Sequence, residues 1–186
     1  MRTNRAILMV ALAASLAGPS ACKQSGGIGH PPAEVSGDPF APASIRIHPL
    51  THVEAGPIEG APPGSSAVIL HLEVRDGYGD SRKALGTLKV DLYRPAGGAT
   101  SGMETQALTW TVPAFAEPEA NTRRFDQSTR TYRVPLVAPG WVAEWFGAQG
   151  ESVRRGAPAW LKLRAVLTLG EGESARYLDN EYLLQP

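Results

Sequence analysis

The stretch Ser66-Ala-Val-Ile-Leu-His-Leu-Glu-Val-Arg75 decides the fold of this chain. Successive side chains of a β-strand point to opposite faces, so a strand with one buried face carries apolar residues at every second position. The apolar residues that share one face here are Val68, Leu70, Leu72 and Val74. The opposite face carries Ile69, His71, Glu73 and Arg75. This period of two predicts a strand that buries its first face in a core.

The same alternation recurs along the rest of the chain. It is found at residues 86–94, 104–112, 131–136, 160–169 and 176–184, and Ile45 and Ile47 begin it. Within 104–112 it predicts one face formed by Gln106, Leu108, Trp110 and Val112. The turn sequence Asp76-Gly-Tyr-Gly-Asp80 follows the first stretch, and glycine adopts turn conformations that other residues avoid. We therefore expect about seven strands, with those at 66–75 and 86–94 paired as a hairpin.

The composition agrees with a β fold. The chain has 186 residues, of which 20 are glycine and 16 are proline, a larger share than in an ordinary globular chain. Short strands without amphipathic helices between them predict an all-β antiparallel sandwich. We expect an immunoglobulin-like arrangement or, next, a transthyretin-like or C2-like one. One short helix is predicted at 139–149, with Pro139 in its first turn, closing one end of the sandwich.

The N-terminal sequence indicates export. Arg2 and Arg5 precede an uncharged apolar run at residues 6–17. This run is shorter than the roughly 20 residues that a membrane-spanning helix needs, and it is typical of a secretory signal peptide. The single cysteine, Cys22, follows directly after Gly18-Pro-Ser-Ala21.

On these residues the chain resembles a bacterial lipoprotein precursor, in which a small residue precedes the cysteine that is lipidated. The resemblance implies removal of the signal peptide, residues 1–21, and a lipid anchor on Cys22. Simple secretion, with cleavage after Ala17, is the alternative.

Residues 22–44 are rich in Gly, Pro and Ser and predict a flexible tether, and residues 45–186 form the β-sandwich domain. We expect a protein of the periplasm, outer membrane or cell surface, attached to the membrane through Cys22.

Charge gives little indication of a partner. The chain has 18 basic and 18 acidic side chains, so it lacks the positive excess of a typical nucleic-acid-binding protein. The main basic concentration consists of Arg123, Arg124, Arg130 and Arg133, and it is interleaved with Glu117, Glu119 and Asp126. We expect a solvated surface there and no nucleic-acid partner.

Asp76 and Asp80 are the best candidates for a metal site. Clustered loop carboxylates can bind Ca²⁺, which takes six to eight oxygen ligands, so Asp126 or Glu171 would have to contribute from other loops. Asp-Gly is also an ordinary turn sequence.

His48 and His52 would stand roughly 13 Å apart on an extended strand, too far to share a metal ion. We expect no resident cofactor.

The sequence gives no strong sign of catalysis. It contains no Gly-x-Ser-x-Gly nucleophile motif and no phosphate-binding glycine loop. The only cysteine lies at the processing site, where a catalytic thiol is not expected. We expect His71 and Glu73 to form a solvated pair on the outer face of their strand. A secreted hydrolase is therefore the last of the alternatives.

Three aromatic residues, Trp141, Trp145 and Phe146, are close together in a chain with only 7% aromatic residues. If these side chains are exposed, they form a contact patch; if they are buried, they close the core.

We expect a non-enzymatic interaction or structural accessory of the cell envelope, whose partner is another envelope protein or a glycan. The alternative is a Ca²⁺- or carbohydrate-binding sandwich module. The whole chain resembles bacterial envelope lipoproteins with one small β domain.

Overall fold

The computed structural model describes residues 38–56, 58–95, 103–154 and 160–184. The predicted signal peptide, Cys22 and most of the predicted tether lie outside these residues. The described chain begins with a turn at residues 38–41, and the first strand starts at Pro42, three residues before the predicted start of the domain.

Within the described residues, nine strands form two antiparallel sheets. Sheet A contains β1 (Pro42–Ile47), β2 (His52–Ala55), β3 (Ser65–Asp76), β6 (Phe125–Asp126) and β7 (Thr131–Pro139). Sheet B contains β4 (Thr87–Pro95), β5 (Glu104–Val112), β8 (Leu161–Leu169) and β9 (Arg176–Leu184). The strand order is β1-β3-β7-β6 in sheet A, with β2 also paired to β3, and β5-β4-β8-β9 in sheet B. The all-β antiparallel prediction is confirmed.

The two sheets enclose one apolar core. Its members from sheet A include Val68, Leu70, Leu72, Val74 and Val134, and those from sheet B include Leu88, Val90, Leu92, Leu163 and Leu167. Each of these side chains is at most 1% exposed. Burying a side chain of this size contributes about 1.5–3 kcal/mol. The apolar face predicted for 66–75 is therefore the inner face of β3.

The opposite face of β3 departs from the prediction, because it is buried as well. Ile69 is 2% exposed, His71 7% and Glu73 8%. The strand is central, with β1 and β2 on one side and β7 on the other. In the register Arg46 stands beside Glu73 and Arg133 beside His71, and the alkyl parts of such long side chains cover neighbours.

The predicted hairpin between 66–75 and 86–94 is wrong. β3 belongs to sheet A and β4 to sheet B, so residues 77–86 carry the chain from one layer to the other. Both strands have an apolar face, and those faces meet across the core instead of lying side by side. A period of two shows which residues share a face, but it does not show which strand is the neighbour.

The first predicted strand, which Ile45 and Ile47 begin, is β1. The chain then forms β2, a strand that the alternation does not predict, and both pair with the same side of β3. Ile47 stands opposite Leu72 and His52 opposite Ile69. Four residues, 48–51, therefore oppose only two residues of β3, and the chain bends outward at this point.

Strand β5 has the predicted bounds but not the predicted face. Leu108 pairs with Leu92, whereas Gln106 pairs with Tyr93, so Ala107 is an extra residue in a β-bulge. Beyond the bulge Gln106 turns to the outer face, where its amide donates to Asp91 (Nε2 to Oδ1, 3.1 Å).

Two α-helices are present among the described residues where one was predicted. Helix α2 spans Trp141–Arg154, so Pro139 ends β7 and is not part of the helix. Helix α1 spans Pro118–Arg124, in a segment predicted to be a solvated strand or loop. No helix in the described ranges is long and apolar enough to cross a membrane.

The two helices lie at opposite ends of the sandwich. Helix α2 follows the end of β7 and buries Val142 completely. Helix α1 lies near the start of β7, where its buried Asn121 accepts a hydrogen bond from the Tyr132 hydroxyl (2.9 Å) and donates one to the Ala84 carbonyl (2.8 Å). The prediction that a helix closes one end holds for α2, which packs apolar side chains against the core. Helix α1 covers the other end through the hydrogen bonds of its buried Asn121.

We predict opposite effects from alanine at two glycines next to and within α2. A Cβ on Gly140 would overlap the carbonyl oxygen of Gly64, whereas one on Gly147 would meet nothing within 4 Å. Gly140→Ala should lower the free energy of unfolding by about 1–3 kcal/mol because backbone has to move. The matched control Gly147→Ala should raise it by about 0.5–1 kcal/mol through helix propensity. Equal denaturation midpoints for the two variants would contradict the close approach at Gly140.

Candidate functional site

The turn after β3 is organised by the buried carboxylate of Asp76. Its Oδ1 accepts the backbone N–H groups of Tyr78 (2.9 Å) and Asp80 (3.0 Å), and its Oδ2 accepts Nε–H of Arg82 (2.7 Å). Gly79 takes a left-handed conformation (φ 88°), which glycine adopts without strain. The Asp76 carboxylate therefore holds the turn after β3 in its conformation by accepting hydrogen bonds from three groups of that turn.

This arrangement bears on the predicted Ca²⁺ site. Both oxygens of Asp76 are already engaged by protein donors, and Asp80 lies exposed on the turn. Within the described ranges, no three or more Asp, Glu, His or Cys side chains are grouped so that they could hold a metal ion. The geometry of Asp76 is that of a loop-stabilising residue.

The same loop presents an exposed aromatic pair, Phe40 and Tyr78. Their ring centroids are 5.9 Å apart at an interplanar angle of 47°. Phe40 is 56% exposed and Tyr78 71% exposed. Large apolar side chains so exposed in contact with one another are candidates for a binding surface.

The aromatic pair is held in place by its surroundings. The guanidinium carbon of Arg82 lies 4.9 Å from the centre of the Phe40 ring, a cation–π geometry, while its Nε is bonded to Asp76. Asp38 Oδ1 accepts the Phe40 N–H (2.9 Å), and Gly77 N–H donates to the Pro39 carbonyl (3.3 Å). The turn at 38–41 and the turn after β3 thus fix each other.

Electrostatics favour the ionised form of Asp76. The hydrogen bond from Arg82 lowers the pKa of the Asp76 carboxyl below its ordinary value, and the N–H groups of Asp80 and Tyr78 lower it further, against the opposing effect of burial. The Asp76 carboxylate is therefore charged at neutral pH, and Arg82 neutralises it.

The predicted aromatic patch is brought together on α2. Trp141, Trp145 and Phe146 are each half-buried and pack against the core. The Arg94 guanidinium lies 5.5 Å from the centre of a Trp141 ring. These side chains mainly close the end of the sandwich, and only part of their surface is accessible.

A shallow groove of about 370 Å³ runs beside α2. It is lined by Thr51, His52, Val53, Ala55, Ala143, Phe146 and Leu184. Phe146 is the member of the predicted patch that contributes to it. The groove is mostly apolar. Its polar members are Thr51, whose hydroxyl accepts the His71 N–H (3.0 Å), and His52, whose Nε2 lies 3.1 Å from Glu54 Oε1.

The histidines meet at the bend between β1 and β2. There the His48 N–H donates to the His71 carbonyl (2.7 Å), and the Thr51 hydroxyl accepts the His71 N–H (3.0 Å). The rings of His52 and His71 stack with centroids 6.4 Å apart. His52 and His71 lie on neighbouring strands, and within the described ranges the histidines belong to no metal-binding group.

The predicted solvated pair of His71 and Glu73 is wrong. His71 Nδ1 lies 3.0 Å from Thr131 Oγ1, and Glu73 pairs with Arg75 (3.0 Å). Burial lowers the pKa of His71 below its ordinary value, and His52, Arg133 and His48 lower it further. His71 is therefore a neutral, structural residue at physiological pH.

Sequence reasoning missed Phe40 and Arg82. The prolines and glycines around Phe40 predict a tether, and the polar residues around Arg82 predict a turn, so neither residue stands out as part of a site. The available signal was a phenylalanine directly after Asp38-Pro39, since large aromatic residues are rare in unstructured tethers. Its contact with Tyr78 depends on the tertiary fold.

We predict that Asp76→Asn lowers the melting temperature at pH 7, because it removes the charge that Arg82 and two N–H groups stabilise. A carboxyl whose pKa is lowered by folding stabilises the fold above its unfolded pKa, about 3.9, and this contribution is lost as the pH falls through the folded pKa. The difference from the parent protein should therefore shrink below about pH 4. Asp179→Asn, which breaks an exposed ion pair with Arg164 (3.5 Å), is the control and should have little effect. A difference that is the same at pH 3 and pH 7 would contradict this role.

Comparison with known proteins adds no further assignment. The chain matches no protein-family model, no curated protein and no solved structure at a significant level. Function is therefore inferred from the residues of the sites described above.

Proposed function

We propose that this protein is an exported, lipid-anchored interaction module of the cell envelope without catalytic activity. The anchor is a lipid on Cys22, and the domain binds another envelope component. The proposal is supported by Arg2 and Arg5, by the apolar run at 6–17 and by a single cysteine directly after a small residue. Two or more acyl chains are enough for stable attachment without a membrane-spanning helix.

The observation that carries the interaction role is the aromatic pair Phe40 and Tyr78. A buried carboxylate and an arginine are both used to hold two rings that remain exposed. Because these rings are positioned before any partner arrives, little conformational entropy is lost on binding. Covering an aromatic side chain removes a large apolar area from water, so a partner gains from contact here.

The position of the pair in the chain suggests where the partner lies. Phe40 is two residues from Asp38, where the described domain begins, and residues 23–37 separate Asp38 from Cys22. Even fully extended, this connection reaches about 55 Å at most. The partner we propose therefore contacts the domain within that distance of the membrane that holds Cys22.

An immunoglobulin-like topology is our assignment for the sandwich. If β1 and β2 are counted as one strand A, the main strands β3, β4, β5, β7, β8 and β9 correspond to B, C, C′, E, F and G. The order in the sheets, A-B-E and C′-C-F-G, is compatible with this class. Such sandwiches serve widely as binding modules, which is an argument from analogy only.

The anchor is tested by mass spectrometry of the membrane-extracted protein. We expect an N-terminal Cys22 that carries acyl chains, and Cys22→Ser should release the chain from the membrane fraction. An unmodified N-terminus at Gly18 would contradict the anchor and leave simple secretion.

The interaction surface is tested by photo-crosslinking in intact cells. A photoreactive residue at Asp80, beside the aromatic pair, should capture a defined envelope component. The double variant Phe40→Ala with Tyr78→Ala should lose this product, and a photoreactive residue at Asp179 on the outer face of sheet B is the position control. Equal capture from both positions, or capture that survives the double variant, would reject the aromatic pair as the contact surface.

A second candidate function, carbohydrate binding, is favoured by the groups around the same rings. Ligand sites combine apolar surface with a few placed polar groups. The exposed Tyr78 lies two residues before the exposed Asp80 in the same loop, and Arg82 lies over the ring of Phe40. A binding glycan should raise the melting temperature by the mass-action relation for ligands of the folded state. The shift should disappear in the double variant and persist in Trp141→Phe. A glycan panel that leaves the melting temperature unchanged, with and without Ca²⁺, would exclude those ligands.

A further inference from the structure

Most sheet edges in the described part of the chain are closed, which matters because an open edge presents unpaired N–H and C=O groups. β2 has four residues and β6 has two, too few to offer a long edge. β9 lies beside β1, where Asn180 accepts the Ile47 N–H (2.9 Å) and Arg176 donates to the Pro42 carbonyl (3.2 Å). These contacts join the two sheets along that side.

Beyond Thr131 and Tyr132, which pair with β6, the outer edge of β7 is also protected against pairing with another strand. The indole Nε1–H of Trp110 donates to the Val137 carbonyl (2.7 Å), so this carbonyl points away from β3. Backbone groups alternate in direction along a strand, and Pro135, two residues earlier, has no N–H to offer on the same side. Proline on an edge strand prevents pairing there.

Strand β5 differs from these edges. It has nine residues and forms one edge of sheet B. The bulge at Ala107 divides it, and residues 108–112 form a regular ladder with β4. Among the residues that the structure describes, no strand pairs with the other side of this segment. This segment has no charge and no proline and consists of Leu, Thr, Trp, Thr and Val, residue types that are mostly enriched in strands.

The sequence of this segment, Leu108-Thr-Trp-Thr-Val112, is nearly palindromic about Trp110. We infer that two copies of this chain associate by antiparallel pairing of residues 108–112 of β5 around a two-fold axis at Trp110. The axis places Trp110 beside its copy, Thr109 beside Thr111, and Leu108 beside Val112. The two four-stranded sheets B then form one sheet of eight strands. This inference does not depend on the proposed function.

The pairing is complementary on both faces of the sheet. Leu108 and Trp110 are half-buried and pack on the core, and the strand of the second copy covers their remaining surface. Thr109 and Thr111 are exposed, and cross-strand threonine pairs are favourable. No charged residue opposes a like charge within the segment. A two-fold interface is self-complementary, which a palindromic strand satisfies.

Thiol crosslinking tests the register. In the Cys22→Ser chain, which has no other cysteine, Thr109→Cys and Thr111→Cys are made in separate preparations and mixed. Directly opposite residues of an antiparallel pair have Cα atoms about 4.5–5.5 Å apart, which is within the Cα separation of a disulfide. Oxidation should therefore join the chain with Cys at 109 to the chain with Cys at 111. Thr105→Cys, on the other side of the bulge, is the matched control and should join to neither. Crosslinking of 105 as efficient as that of 109 with 111 would overturn the proposed pairing.

The oligomeric state tests the association itself. The Cys22→Ser chain should behave as a dimer in sedimentation equilibrium without a lipid anchor. In the double variant Thr109→Lys with Thr111→Lys, each new lysine stands directly opposite a lysine of the second copy. The repulsion should raise the dissociation constant of the dimer about tenfold or more. The control double variant Tyr177→Lys with Leu183→Lys adds the same charge at exposed positions of β9 and should stay dimeric. A chain that is monomeric up to its solubility limit, or a dimer equally weakened by both double variants, would overturn the inference. Circular dichroism melts show that each variant is folded.

Discussion

The burial of β3 on both faces is the constraint on which the rest of the structure depends. β1, β2 and β7 all pair with β3, and β6 pairs only with β7, so sheet A is assembled on this strand. Its inner side chains fill the core, and Ile69, His71 and Glu73 are buried on the outside. A strand enclosed in this way is the most costly one to expose to water, and it fixes the positions of both ends of the sandwich.

The strands of the fold could largely be predicted from sequence, because side-chain alternation is a local property. The bounds of β5 and β9 and the inner faces of β3, β4 and β8 follow from it. The assignment of strands to sheets, the bulge at Ala107 and the outer burial of β3 depend on neighbouring strands, which alternation does not record. Helix α1 has seven residues, too few for a helical period to stand out.

The candidate site was only partly predictable for the same reason. Asp76 and Tyr78 belong to a turn that glycine and aspartate indicate, whereas Phe40 lies 38 positions before Tyr78, the residue that it contacts. The contact arises because Asp76 ends β3 and its oxygens fix the turn, Arg82 and thereby Phe40. The proposed binding surface thus lies directly after β3, the strand on which sheet A is assembled. The proposed self-pairing of β5 involves sheet B instead.

Native-state hydrogen exchange resolved along the chain tests most directly whether β3 is the centre of the structure. If it is, the amides of residues 67–74 exchange only through global unfolding, and their opening free energy equals that of complete unfolding. The amides of β9 and of the turn after β3 should open at lower free energy. Exchange of β3 that is faster than that of β8 or β9 would contradict the account.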